Sequence, residues 1–142
     1  MLLTEFDANR QAIINPEDLN EPLEGFPKIA VSCFSRSTFQ RMLEMFPHEL
    51  IYETPIANVA IPIYKLVIDD NELALFNAPV GASACVAILE DIFALGADKL
   101  VLFGTCGVLD EDIKETSIII PSHALRDEGT SFHYVEASDE IA

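Results

Sequence analysis

Hydrophobic positions along the chain follow two spacings, one typical of strands and one typical of helices. Lys28–Phe34 is a short, mostly apolar run rich in strand-forming residues, which is typical of a buried strand. Arg36–Phe46 instead repeats apolar side chains at intervals of three and four residues, which is typical of an amphipathic helix. The same reading predicts further strands at 48–54, 60–68, 72–79, 99–103, 117–121 and 131–135, and a long apolar helix at 82–95.

Capping and turn residues mark the boundaries between these elements. Ser35 stands at the N-cap position of the first helix, Asp69–Asn71 predicts a hairpin turn, and Gly96 follows the second helix where a C-terminal glycine is common. The order strand, helix, hairpin, helix, strand predicts an α/β fold, with a mixed sheet flanked by helices.

Acidic residues are concentrated at the two ends of the chain. Of the 24 acidic residues, six lie in residues 1–25 and nine in residues 110–142. Residues 1–27 also hold three prolines and show weak periodicity, so we predict an extended acidic arm at 1–27 ahead of an α/β domain at 28–142.

The composition excludes several classes of partner. A net charge of −16 repels nucleic acid phosphates and anionic lipids, so we expect no nucleic acid and no membrane partner. The sequence shows no secretory signal and no apolar run near the roughly 20 residues of a membrane span, which predicts a cytoplasmic protein. Cys33, Cys85 and Cys106 are far apart within apolar segments, and we expect buried free thiols and no metal site.

Three predicted strand-to-helix or strand-to-loop junctions could bind a small anion. Gly104-Thr105-Cys106-Gly107 follows a strand, and its glycines let backbone N–H groups point into one space. Pro79–Ala82 precedes the long helix, whose N-terminus favours negative charge. Ser35-Arg36-Ser37-Thr38 adds hydroxyls, exposed N–H groups and one cation at the third junction. Each pattern is also typical of a plain turn or cap, and residue spacing alone slightly favours that interpretation at each junction.

A fourth segment is dense in polar and aromatic groups. Arg126–Tyr134 contains His133, Tyr134 and several hydroxyls, a mixture that suits a small polar ligand with a flat ring. The sequence shows no catalytic triad, P-loop lysine or zinc-protease motif, so these residues assign no reaction.

Several short sequence segments resemble segments of the nucleoside phosphorylase family and occur in the same order along the chain. This family includes uridine and purine nucleoside phosphorylases and related nucleosidases. The segments are Pro79–Ala84, Leu89–Asp91, Leu95–Ala97, Phe103–Gly107 and Ala124–Tyr134. The resemblance implies the phosphorylase fold and transfer of a pentosyl group from a nucleoside to inorganic phosphate, with phosphate as co-substrate and no other cofactor.

The resemblance also implies roles for particular residues. Ser35, Arg36, Gly104 and Thr105 are expected to bind phosphate, and the nucleoside is expected to contact Thr105, Cys106, Gly107, His133 and Tyr134. No catalytic residue is assigned. The family's glycine-aspartate-proline phosphate loop is replaced here by Ser32–Arg36, and Leu102 stands where many members have an arginine.

These departures keep two alternatives open, a nucleosidase that uses water and a non-catalytic binding or interaction module. The family's later segments, which hold the pentose and read the base, would follow Ala142. We therefore expect an incomplete, N-terminal version of the fold that is weakly active or inactive by itself. A partial sheet leaves an edge unpaired, so we also expect a homo-oligomer.

Overall fold

The computed structural model describes residues 5–114 and 116–142. The chain divides into two compact units, one comprising Ala12–Thr105 and the other the residues before and after it. The expected boundary between residues 27 and 28 stays a prediction.

Within the described residues, five strands of the larger unit form one mixed sheet in the order β2-β3-β4-β1-β5. Three helices belong to the same unit. The strands are β1 (Ile29–Cys33), β2 (His48–Ile56), β3 (Val59–Ile68), β4 (Asn71–Phe76) and β5 (Lys99–Phe103). The helices are α1 (Pro16–Leu19), α2 (Arg36–Met45) and α3 (Ala82–Leu95). The predicted mixed sheet flanked by helices is confirmed.

Strand β1 lies between β4 and β5 and runs parallel to both. Ala30 lies opposite Ala74 of β4 and Leu100 of β5. Strands β2, β3 and β4 pair antiparallel. The predicted hairpin turn is present: Asp69 and Asp70 both have positive φ, and the Asn71 side chain donates to the Asp69 carbonyl at 2.9 Å.

Two apolar clusters cover the sheet. The larger joins α3 to the sheet through residues such as Ile88, Ile92 and Phe76, all fully buried. The smaller joins Phe39 of α2 to Leu66 and Leu75. Their presence explains why the helical periodicity in the sequence was informative, since each helix buries one apolar stripe.

Within the larger unit, the segment before β1 packs against α3. Phe26 belongs to the α3 cluster, and the Leu23 amide donates to the Leu95 carbonyl at 3.0 Å. The buried Asn20 side chain donates to the Asp91 carboxylate of α3 at 2.8 Å, and Thr54 of β2 donates to the same carboxylate. Asp91 thereby joins the segment before β1 to both α3 and β2.

The smaller unit holds a short antiparallel pair, β6 (Ala124–Leu125) and β7 (Glu140–Ile141), and a 3-10 helix at Thr130–His133. The predicted strand at 117–121 is wrong: these residues form no strand pairing, and Ile118 and Ile120 are exposed. The predicted strand at 131–135 is also wrong. The Glu128 carboxylate accepts from the amides of Thr130 and Ser131, which fixes a helical turn instead.

Candidate functional site

The carboxyl ends of β1 and β5 meet at one edge of the sheet. Cys33 lies opposite Phe103, and one residue further on the Phe34 amide donates to the Phe103 carbonyl at 3.2 Å. In open α/β sheets, ligands bind beyond the carboxyl ends of parallel strands. The sequence places Phe34 and Ser35 after one of these ends, and Gly104 and Thr105 after the other.

The chain leaving β4 is tied to the end of β1. The Ala78 amide donates to the buried Ser32 hydroxyl at 3.0 Å, and the Asn77 side chain donates to the Cys33 carbonyl. These bonds fix the path of the connection from β4 to α3. The start of α3 is therefore held beside the ends of β1 and β5.

Helix α3 begins at a glycine that no other residue type replaces without strain. Gly81 is the N-cap with φ +115°, a left-handed backbone conformation that side chains rarely adopt, and it caps the helix without a side-chain hydrogen bond. The first amides of a helix have no partner within the helix, so the first turn of α3 offers N–H groups to a ligand.

We expect Gly81→Ala to lower the free energy of unfolding by about 1–3 kcal/mol, because the added Cβ meets no neighbour and the cost is backbone strain alone. Urea denaturation measures the change. Gly107→Ala is the matched control, since Gly107 has open space and no positive φ. Equal stability of the two variants would contradict the strained conformation.

A cavity of about 640 Å³ lies at this edge of the sheet. Its lining comes from three places, the β1–α2 junction, the start of α3 and the end of β5. The lining residues are Phe34, Ser35, Thr38, Val80, Gly81, Ala82, Cys85, Val86, Leu89, Leu102, Phe103, Gly104 and Thr105. The three junctions singled out in the sequence therefore each contribute residues to the same cavity.

Ser35 acts as the N-cap of α2. Its hydroxyl oxygen accepts from the Thr38 amide at 3.2 Å and from the Thr38 hydroxyl at 3.0 Å, and it lies 3.0 Å from the Ser37 hydroxyl. The capping interpretation thus accounts for the Ser35 side chain, and this N-cap residue lines the cavity.

The cavity lining contains hydroxyls and apolar groups and no charged side chain. Two helices, α2 and α3, begin at it, and the aligned peptide dipoles of a helix place partial positive charge at its N-terminus. Burial raises the pKa of the Cys85 thiol, which keeps this group protonated and unreactive. The site can therefore position an anion through amides and surround an apolar ring, without a cation of its own.

The structure separates the predicted site residues into two groups. Ser35, Gly104 and Thr105 line the cavity, whereas Arg36 is exposed on α2 outside the lining. Cys106, Gly107, His133 and Tyr134 belong to the smaller unit and are exposed. The expectation of three buried thiols is wrong for Cys106, which is exposed because it follows the last strand of the sheet instead of lying within the sheet. The binding roles of all these residues stay predictions.

Phe34 and Thr38 line the cavity although neither was among the predicted binding residues. Thr38 ends the Ser35–Thr38 junction, and Phe34 was placed in the predicted strand and in the Ser32–Arg36 segment that replaces the phosphate loop. The place of Phe34 directly after the last residue of β1 is the signal that could have identified it, since residues just past parallel strands face ligands.

Arg126 organises the smaller unit. Its side chain is buried, and its Cζ atom lies 4.0 Å from the centre of the Phe132 ring. Its guanidinium donates to the Ser131 and Ser138 hydroxyls and to the carbonyls of Val135 and Glu136. These bonds hold the 3-10 helix against the following chain, so this arginine acts within its own unit.

Glu128 should titrate below the usual range. Hydrogen bonds from Ser131 and Thr130 and the nearby Arg126 charge lower the pKa of this carboxyl. A carboxyl with a lowered folded-state pKa contributes stability above its unfolded-state pKa, and that contribution is lost as pH falls through the folded-state pKa. The NMR signals of the Thr130 and Ser131 amides report the protonation of Glu128. We expect them to shift with pH around a midpoint below the pKa of an ordinary glutamate. Titration at or above the ordinary value would contradict these bonds.

Among residues 5–114 and 116–142, no group of three or more histidine, cysteine, aspartate or glutamate side chains could hold a metal ion. In the same residues no helix has both the length and the apolar character needed to cross a membrane.

Comparison with known proteins gives matches of three kinds, to a family model, to a protein sequence and to solved structures. A sequence model described as "Phosphorylase superfamily" matches residues 28–142. A guanosine phosphorylase from Halorubrum lacusprofundi is 27% identical over 74 residues, which are 50% of this chain and 31% of that protein. A uridine phosphorylase structure from Vibrio fischeri ES114 aligns with TM-score 0.69 and 18% identity, covering 84% of this chain and 51% of that one.

A second structure of the Vibrio fischeri uridine phosphorylase aligns with TM-score 0.55 and 15% identity, covering 73% of this chain and 42% of that one. The chain therefore spans about a third to a half of the length of these relatives.

Proposed function

Because the chain belongs to the phosphorylase superfamily, we propose that its cavity binds inorganic phosphate and a nucleoside and serves transfer of the pentosyl group to phosphate. The relatives named guanosine phosphorylase and uridine phosphorylase support this reaction class. The proposal leaves the base, purine or pyrimidine, open. It requires no cofactor besides phosphate as co-substrate.

One observation carries the phosphate part of the proposal. The first turns of α2 and α3, which begin at the cavity, contain no acidic residue, although the chain has 24 of them. The first turn of α1, away from the cavity, contains Glu17 and Asp18. Acidic side chains stabilise a helix N-terminus, so the N-termini of α2 and α3 lack a contribution to stability that such side chains would give. Without acidic side chains, both N-termini remain open to an anion.

The chemistry of the reaction fits such a site. Cleavage of the glycosidic bond develops positive charge on the pentose, and a phosphate beneath the anomeric carbon is both nucleophile and counter-charge. The phosphate oxygen forms the new bond to the anomeric carbon while the electron pair of the broken bond leaves with the base, which then takes up a proton. The protein mainly has to hold phosphate and sugar in line, for which fixed amides and the Thr105 hydroxyl are suited.

Hydrolysis is the second candidate, favoured by the lining without a charged side chain. The assay is release of base from uridine, inosine and guanosine with and without inorganic phosphate. Phosphorolysis requires release that depends on phosphate and yields pentose 1-phosphate. Release that is independent of phosphate would replace the proposal with a nucleosidase. The sequence-based expectation of weak or absent turnover stays a prediction that the same assay measures.

We also propose that the chain forms a homo-oligomer through β5. In the part of the chain that the structure describes, β5 pairs with β1 on one side only, and Val101, Leu102 and Phe103 are half exposed. After Lys99 at its start, β5 contains no further charge and no proline, so the protection usual for an edge strand is confined to its first residue. Antiparallel pairing with the same edge of a second copy would satisfy the open backbone groups.

Sedimentation velocity tests this proposal. The parent chain should sediment as an oligomer at high concentration, and Val101→Lys should shift it toward monomer, while Val67→Lys at an exposed position of β3 should not. A strictly monomeric parent chain would contradict the proposal.

A further inference from the structure

Two side-chain hydrogen bonds continue the contact between β1 and β4 past the end of their backbone pairing. The last paired residues are Ser32 and Phe76. One residue further on, the Asn77 side chain donates to the Cys33 carbonyl. The Ala78 amide then donates to the Ser32 hydroxyl at 3.0 Å, and both of these residues are buried. The two bonds form an exit clamp at the end of β4, and Ser32 and Asn77 supply its side chains.

The exit clamp lies just ahead of two of the three segments that line the cavity. Residues 34–35 follow its β1 side, and residues 80–82 follow its β4 side. Helix α2 begins after the first of these segments, and α3 begins at the end of the second. The clamp therefore fixes the distance between the two points at which the chain approaches α2 and α3.

The residues between the exit clamp and α3 are poorly suited to fix the start of this helix by themselves. Pro79 has no N–H to donate, and Val80 is 83% exposed. Gly81 caps the helix without a side-chain hydrogen bond. The first buried residue of α3 is Cys85, one turn into the helix. The first turn of α3 is therefore held mainly from the clamp, and a displacement of Ala78 would reach it.

We propose that Ser32 and Asn77 are positioning residues for phosphate, because the bonds they make set the separation between the starts of α2 and α3. The inference rests on the proposed function, which places the anion at these two helix N-termini. Neither side chain lines the cavity, so both act through the backbone they hold. Amide hydrogen bonds to an anion need donor–acceptor distances of roughly 2.7–3.2 Å, so a shift of about 1 Å at one helix breaks them there.

Ser32→Ala removes the acceptor of the Ala78 amide without adding a charge. A buried amide that loses its partner is costly, so we expect the connection to shift toward water. Phosphate affinity should fall about tenfold, which is about 1.4 kcal/mol. The Ala78 amide should exchange with solvent faster, while the amides within β1 and β4 stay protected. Ser32→Thr keeps the hydroxyl and should retain both the affinity and the slow exchange. Isothermal titration measures the affinity, and amide NMR measures the exchange.

Asn77→Ala tests the second bond of the exit clamp. It gives an independent comparison should Ser32→Ala not fold, because Asn77 is only half buried. Phosphate binding should weaken in this variant too. In the double variant the loss of binding free energy should be smaller than the sum of the two single losses, since both bonds hold the same connection. Simple addition of the two losses would contradict a shared clamp.

Thr54→Val is the matched control for a loss of stability. Thr54 is another fully buried hydroxyl residue, which lies on β2, donates to Asp91 and does not line the cavity. Thermal unfolding should show that this variant is destabilised as Ser32→Ala is. Its phosphate affinity should stay within about twofold of the parent, since destabilisation alone weakens binding only when unfolded molecules become common. An equal loss of affinity in Thr54→Val and Ser32→Ala would contradict the positioning role.

The outcomes also separate this inference from the function on which it rests. If the parent chain binds phosphate and Ser32→Ala binds it equally well, the positioning role is wrong and the proposed function stands. Unchanged exchange of the Ala78 amide in Ser32→Ala would show that the exit clamp does not hold the connection, which also overturns the inference alone. If the parent chain binds no phosphate up to saturating concentrations, the phosphate part of the proposed function fails and the inference fails with it.

Discussion

The Ala82→Asp protein should bind inorganic phosphate more than tenfold more weakly than the parent chain and yet be at least as stable. Ala82 is the first residue of α3, is exposed and lines the cavity. An aspartate in the first turn interacts favourably with the helix dipole, by about 0.3–1 kcal/mol. The substitution therefore separates the ligand site from the fold.

The expected loss of affinity follows from repulsion between the new carboxylate and the phosphate. Two like charges about 4 Å apart repel by about 4 kcal/mol at an effective dielectric constant of about 20. Less than half of that energy is enough for a tenfold loss, since each factor of ten is about 1.4 kcal/mol.

Isothermal titration with phosphate measures the affinity, and thermal unfolding measures the stability. Ala82→Asn is the matched control, because it has the same shape without the charge and should keep most of the affinity. Equal phosphate binding by the aspartate and asparagine variants would show that the anion does not bind at the start of α3.

Phe76→Ala should lower the free energy of unfolding by about 3–5 kcal/mol, the usual cost of deleting a buried aromatic side chain. Phe76 is fully buried in the α3 cluster at the end of β4, opposite Ser32 of β1. The cavity left behind would loosen α3 from the sheet at the point where the connection to Gly81 begins, so ligand binding should weaken as well.

Phe93→Ala is the control for this effect. The same side chain is removed from α3 at a position that is 44% exposed, and we expect a cost of about 1 kcal/mol or less. Chemical denaturation measures both variants. A cost at Phe76 no larger than that at Phe93 would contradict the assignment of the core.

Most of the larger unit could be predicted from the sequence because its elements bury one face each. The period of apolar positions located α2, and α3 was predicted with the bounds it has in the structure, since Gly81 and Gly96 flank it. The hairpin from β3 to β4 followed from its turn residues. Local chemistry and global packing agree in these elements, which is why pattern alone was informative.

In the smaller unit, the pattern of apolar residues predicted two strands that the structure does not contain. Ile118–Ile120 has the composition of a strand, yet a strand also needs a partner, and composition does not encode one. In Ser131–Val135 the upstream Glu128 carboxylate decided the conformation by capping a helical turn, an effect that period counting does not detect.

The candidate site could be predicted in part. The sequence indicated each junction separately, because glycine, serine and threonine after a predicted strand can be recognised from the order of residues alone. Their convergence on one cavity depends on β1 lying between β4 and β5, which the sequence order does not specify. Phe34 was not selected as a site residue because its place in the cavity lining follows from the end of β1 and not from its residue type.

Titration of the isotope-labelled chain with inorganic phosphate, followed by amide NMR, detects weak binding at the cavity as well as tight binding. We expect the amide signals of Ala82, Ser83 and Thr105 to shift together along one binding curve, and addition of uridine or guanosine then to shift the amide signals of other residues that line the cavity. Phosphate shifts confined to other parts of the chain, or none at these amides up to saturating concentrations, would contradict this expectation.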